Sequence, residues 1–110
     1  MDFGCGICTY AMKVKEAGIE DVSGNDGNPY TPQLTNGFAS ALDLTQEQDL
    51  GRTFDWVQSL EVGEHIPEAK SSIYVKNVVK HAKKGIILSW AVIGQGGFNH
   101  INNKDNREVI

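Results

Sequence analysis

The chain has 110 residues, with 14 acidic against 10 basic side chains and a net charge of −4. That length supports one domain with a real core, and it is short for a complete α/β enzyme. Acids and bases are interspersed, so no basic stripe invites nucleic acid; no apolar run approaches the roughly 20 residues that span a bilayer, and no basic-then-apolar leader follows Met1. The expected chain is soluble and cytoplasmic, with neither nucleic acid nor membrane as partner.

Asp2-Phe3-Gly4-Cys5-Gly6-Ile7-Cys8-Thr9-Tyr10 reads as the end of a strand, a glycine turn and a helix start. Gly4 and Gly6 permit backbone angles and close approaches that a side chain blocks, so a ligand can lie on the main chain at the N-terminus of the next helix. The third glycine is absent: Cys8 stands where G-x-G-x-G would have it, and Thr9 where G-x-G-x-x-G would. A tight turn without a ligand is the alternative. Cys5 and Cys8 form a C-x-x-C, but a zinc site lacks a second ligand pair and a thioredoxin-like dithiol lacks its preceding apolar strand. Both cysteines are read as small residues in a glycine turn.

Tyr10, Ala11, Val14 and Ala17 fall at helical spacing, predicting an amphipathic helix over 9–17 with Gly18 as its C-terminal cap. A short strand over 21–25 ends in the turn Asp26-Gly27-Asn28-Pro29. Asp26 lies twenty residues beyond Gly6, where an acid at the tip of a second strand can accept hydrogen bonds from ribose hydroxyls. An Asx-turn is the alternative there. Residues 30–37 carry Pro32 and give at most a short helix, and 38–42 read as a third strand. Asp43 follows it, and could equally cap a helix start over 46–50 that Glu47 and Asp49 favour.

Residues 54–60 alternate as a half-apolar strand that breaks into Glu61, Glu64 and His65, and Pro67 then opens a helix. Polar chemistry therefore sits beyond the carboxyl end of a strand, where open α/β sheets bind ligands. The helix runs to about 82, with Ile73, Val75, Val78, Val79 and Ala82 as its apolar stripe and His81 as a solvated residue near its end. The run 85–92 predicts a buried parallel fifth strand. The glycine-rich stretch 93–103, with Phe98 and His100, is a substrate wall or a plain connection, and 104–110 reads as a helix start.

Asp2, Gly4 and Gly6 resemble the D-x-G-x-G motif, and Glu61-Val62-Gly63-Glu64-His65-Ile66-Pro67 with Gly85-Ile86-Ile87-Leu88-Ser89-Trp90-Ala91 resembles the fourth- and fifth-strand motifs, of class I S-adenosylmethionine (SAM) dependent methyltransferases of the type 11, methyltransferase-like branch. The fold this implies is α/β, a Rossmann-like doubly wound, mostly parallel sheet of order 3-2-1-4-5 with helices on both faces and without strands 6 and 7. Residues 1–110 would be a single partial SAM-binding domain, truncated at both ends and weakly active or inactive alone, with an exposed sheet edge beside the fifth strand. The resemblance implies SAM as cofactor and a small-molecule acceptor: Asp2, Gly4 and Gly6 at the methionine end, Asp26 at the ribose, Asp43 and Leu44 at the adenine, Leu60 and Glu61 under the cofactor. His65 or His100 is the candidate general base.

The chain is also similar to quinone-precursor O-methyltransferases, whose E-x-x-E-H holds a divalent metal. That implies a hard cation such as Mg2+ at Glu61, Glu64 and His65, against a bracing role for Glu64 and His65. Two alternatives belong to other classes. An NAD-binding Rossmann oxidoreductase would want glycine at Thr9 and leaves E-x-x-E-H unexplained; a non-catalytic SAM-fold binding protein would keep the sheet without the reaction.

Overall fold

Five short strands, β1 (Asp2–Phe3), β2 (Gly24–Asp26), β3 (Ala39–Ala41), β4 (Phe54–Ser59) and β5 (Ala82–Leu88), set the architecture of the computed structural model, which describes residues 1–109. They form one sheet in the order β3-β2-β1-β4-β5, every pair parallel, as the sequence predicts. Asp2 pairs with Gly24 on one side and with Gln58 on the other, so the strand order reverses between β1 and β4. All strand ends therefore share one edge, and the crevice there is where this topology collects ligand-binding turns. The helices are α1 (Thr9–Glu16), α2 (Thr31–Leu34), α3 (Ser71–His81) and α4 (Asn106–Val109), with 3₁₀ turns at Gly63–His65 and Glu68–Lys70. The predicted helix start over 104–110 is seen as α4, apart from Ile110, which lies outside the described residues. Among the described residues no helix is long and apolar enough to cross a membrane.

The core is lopsided. Phe3, Val57, Tyr74, Val78 and Trp90 make the larger cluster, each large apolar side chain removed from water contributing about 1.5–3 kcal/mol. The smaller cluster is Cys8, Ala11 and Ala39. α1 therefore packs through small residues in its first turns, and the Tyr10 and Val14 of its predicted stripe stay exposed.

α3 departs further from prediction. Its buried face is Tyr74, Asn77, Val78 and His81, while Val75 and Val79 are exposed. Two polar residues replace valines because they hold a loop. The Asn77 side chain accepts from the Gln48 amide and donates to the Leu44 and Gln46 carbonyls, and His81 Nε2 accepts from the Leu50 amide at 3.1 Å. His81 is thus a fully buried acceptor and no solvated cap, and 46–50 form no helix because α3 takes up their backbone groups. Next to this, the Tyr74 hydroxyl meets Ser59 Oγ at 2.7 Å, and burial pushes the phenol up to about 12.

β5 begins directly at the end of α3 and is the outer strand. It carries the expected exposed edge, but Ile86, Ile87 and Leu88 are solvent-accessible where a buried strand is predicted, since neither face of β5 is fully covered.

The loop clamp is open to measurement. Asn77→Ala, which orphans buried backbone groups, is expected to cost roughly 2 kcal/mol in urea unfolding. Val79→Ala, on the exposed face of the same helix, is expected to stay within about 0.5 kcal/mol.

Candidate functional site

At the carboxyl ends of β1 to β4 the turns enclose a cleft of about 420 Å³, lined among others by Gly4, Gly6, Asp26, Asp43, Leu44, Glu61 and His65. Its floor is the turn after β1. Gly4 (φ +76°), Gly6 (φ +58°) and Cys8 (φ +61°) all take the left-handed conformation, so the backbone alternates as three glycines would let it. A Cβ on Gly4 would overlap the Val62 side chain, whereas nothing stands within 4 Å of one on Gly6. Both glycines line the cleft.

Cys8 holds a strained angle in place of the third glycine, at a cost of order 1 kcal/mol. It is fully buried and joined to Cys5 by a disulfide. The two cysteines are therefore more than small turn residues; they cross-link the turn, because three residues of tight turn bring their Cα atoms within 4.5 Å.

Asp26 completes this floor. Its Oδ2 accepts from the Gly6 amide at 2.8 Å and its Oδ1 from the Asn28 amide at 3.0 Å. The Asx-turn is thus present, and each oxygen keeps a second lone pair for a ligand. On the next turn Asp43 Oδ1 accepts from both the hydroxyl and the amide of Thr45, which hold its carboxyl below the usual range. Leu44 beside it is buried. Glu61 ends β4 with φ +54°, its amide donating to Ser89 Oγ at 2.9 Å.

Not every expected residue reaches the cleft. Leu60 is half-buried behind Glu61 and does not line it, and Val62 does. Asp2 lies elsewhere, beside a second cavity of about 540 Å³ that Met1, Val14 and Trp56 share, where Gln58 Nε2 donates to its Oδ2 at 3.0 Å. Burial pushes the Asp2 carboxyl up. Sequence reasoning missed Thr45 and Val62. Thr45 has a legible signal, an Asp two residues earlier that favours an Asx or ST turn; Val62 has none, since only the fold brings it to Gly4.

The segment after β4 closes the cleft's other end. Glu64 is fully buried, and its carbonyl accepts from the amides of Ile101 and Asn102, both at 2.9 Å. Trp90 packs so closely over Gly63 that a Cβ there would overlap its ring, and its indole donates to the Asn102 carbonyl at 2.7 Å. The glycine-rich loop is thereby folded back across the strand end. It delivers His100 to Glu64 and His65: both Nε2 atoms stand 3.9 Å from Glu64 Oε1, and the two rings meet edge-on at 4.9 Å. The converging group is Glu64, His65 and His100. Glu61 is not in it, so the implied metal set of Glu61, Glu64 and His65 does not fit as drawn.

No protein-family model matches the chain, and no curated protein does. Solved structures do. One is a magnesium protoporphyrin IX methyltransferase from Synechocystis PCC 6803 with bound S-adenosylhomocysteine (SAH), at TM-score 0.71 and 22% identity over 98% of this chain and 58% of that one. Another is a SAM-bound amino pentose methyltransferase from Micromonospora echinaspora, at TM-score 0.71 and 23% identity over 87% of this chain and 44% of that one. The fold is that of the class I methyltransferases. The chain spans about half the length of these two structures. A pericyclic reaction enzyme also superimposes, at TM-score 0.69 and 11% identity over 98% of this chain and 34% of that one.

The off-cleft position of Asp2 has a measurable signature. A carboxyl whose pKa is raised by burial is protonated more readily in the folded chain, so its ionisation destabilises the fold progressively as pH rises from the unfolded value through the folded one, and fully above it. Asp2→Asn is expected to raise Tm at pH 7, with the gain shrinking as pH falls and vanishing below about 4, near the ordinary aspartate range. A gain constant across that range would contradict the assignment.

Proposed function

We propose that this chain binds SAM in the strand-end cleft and serves methyl transfer to a small-molecule acceptor. The observation that carries the reading is the left-handed turn Gly4–Gly6–Cys8 tied through the Gly6 amide to Asp26, with Gly4, Gly6 and Asp26 all lining the cleft. When bound, SAM supplies an electrophilic methyl group on its sulfonium. The main chain at Gly4 and Gly6 would hold the methionine end, the spare Asp26 lone pairs the ribose hydroxyls, and Asp43 with Leu44 the adenine, above Glu61. Asp2 and Leu60, outside the cleft lining, support β1 and β4 from behind.

The acceptor would enter from the His65 side. Positioning of acceptor and cofactor against each other supplies most of the rate enhancement such a site gives. The methyltransferases among the structural neighbours are described as acting on a porphyrin and an amino pentose, which supports a small-molecule acceptor. The pericyclic enzyme on the same fold marks the limit of that support, because a fold does not select a reaction.

Calorimetric titration with SAH tests the cofactor. The wild-type chain is expected to bind SAH and not NAD. Asp26→Ala is expected to weaken SAH binding by about tenfold or more, the equivalent of roughly 1.4 kcal/mol of lost hydrogen bonding, while His65→Ala leaves it within about twofold. Equal loss in both variants, or preference for NAD, would overturn the reading.

A further inference from the structure

We infer that Glu64, His65 and His100 form a binding site for a borderline divalent transition metal of the zinc type, at the acceptor end of the cleft. His65 Nδ1 lies 3.0 Å from the Asn99 carbonyl oxygen, and His100 Nδ1 lies 3.3 Å from the Gln95 carbonyl oxygen. A carbonyl oxygen only accepts, so both rings carry a proton on Nδ1, and in the neutral form each presents a bare lone pair at Nε2. Both of those lone pairs face Glu64 Oε1, each at 3.9 Å.

That oxygen is itself unprovided for. Glu64 is 0% exposed, and its Oε1 has no hydrogen-bond partner among the described residues. Its other oxygen has only a long contact, 3.4 Å from the Ala91 amide. With neutral imidazoles three electron pairs thus converge around a fully buried carboxylate, on a half-buried His100 and an exposed His65, and 3.9 Å is too long for a proton shared between either ring and the carboxylate. Among the described residues no lysine or arginine pairs with Glu64. A buried carboxylate is sustained by a counter-charge or by a metal.

The geometry suits a small cation. The three ligand atoms lie within 4.8 Å of one another, so each needs to close in by only a few tenths of an ångström to reach the roughly 2.0–2.2 Å of zinc–nitrogen and zinc–oxygen bonds. Two imidazoles and one carboxylate are the donors of borderline metals, not of magnesium, which wants oxygen on nearly every side. The Nδ1–H bonds to Asn99 and Gln95 are the outer contacts that orient a metal-binding histidine. With three protein ligands the remaining position opens where His65 borders the cleft, the place for an oxygen or nitrogen of an acceptor. The site differs from a hard-cation E-x-x-E-H set in excluding Glu61 and recruiting His100 from the glycine-rich loop.

The test needs no cofactor, so it stands or falls apart from SAM binding. Zinc chloride is titrated calorimetrically into the disulfide-intact, SAM-free chain, with circular dichroism as the check on folding. One zinc per chain is expected. Glu64→Gln and His100→Gln are expected to weaken it by more than about a hundredfold, beyond the roughly 10–100-fold that loss of an outer contact costs. Glu61→Gln is expected to leave zinc affinity unchanged. Long-range nitrogen–proton NMR of the wild-type imidazoles supplies a readout free of variants: zinc should shift Nε2 of His65 and His100 and leave His81 in place. Absence of zinc binding by the folded chain, binding undiminished by His100→Gln, or a loss on Glu61→Gln equal to that on His100→Gln would overturn the inference.

Discussion

The hydrogen bond from the Gly6 amide to the Asp26 carboxylate, 2.8 Å long across twenty residues, is the contact on which the cleft depends. It exists because β1 and β2 run parallel with Asp2 opposite Gly24, which brings the turn after β1 to the tip of β2. It also requires Gly6 to turn its amide outward with φ +58°, a conformation unfavourable to residues with a Cβ. Cys8 continues the same left-handed alternation without being glycine, and its burial and cross-link to Cys5 offset that strain. One backbone geometry therefore leaves a bare surface and places a carboxylate with spare lone pairs beside it.

The opposite wall has a different physical origin. There the loop after β5 is drawn over the end of β4 by the Glu64 carbonyl, which accepts two amides, and by Asn102, whose side chain donates to the Ile66 carbonyl at 2.9 Å and to Ser71 Oγ at 2.8 Å. The Lys104 ammonium reaches Glu68 at 2.6 Å on the same side. The Glu64 backbone thus anchors the loop that delivers His100 to the Glu64 carboxylate. Loop placement and side-chain chemistry are coupled through a single residue.

Much of this was legible in the sequence. Strand order followed from the resemblance of the succession of elements and motifs to the class I methyltransferases, and the spacing of Gly4, Gly6 and Asp26 marked the cleft floor. What was not legible depended on partners distant along the chain. Apolar periodicity in α3 pointed to Val75 and Val79, whereas burial went to Asn77 and His81, since a polar residue whose hydrogen bonds are all met by a loop costs little to bury. The apolar run of β5 read as buried because such runs normally lie inside a parallel sheet, and pattern alone does not say that a strand is the outermost. His100 stood out only as a histidine in a loop; its approach to Glu64 is a product of the loop's docking.

The account's central claim is that the cleft at the ends of β1 to β4 receives an adenosyl nucleotide. Amide chemical-shift mapping of the chain during titration with S-adenosylhomocysteine tests it most directly. The perturbed amides are expected to cluster at Gly4, Gly6, Asp26, Gly27 and Leu44, around the one cleft. Shifts concentrated instead at Trp56, Val14 and Ile87, around the second cavity, or no saturable shift at all, would contradict it.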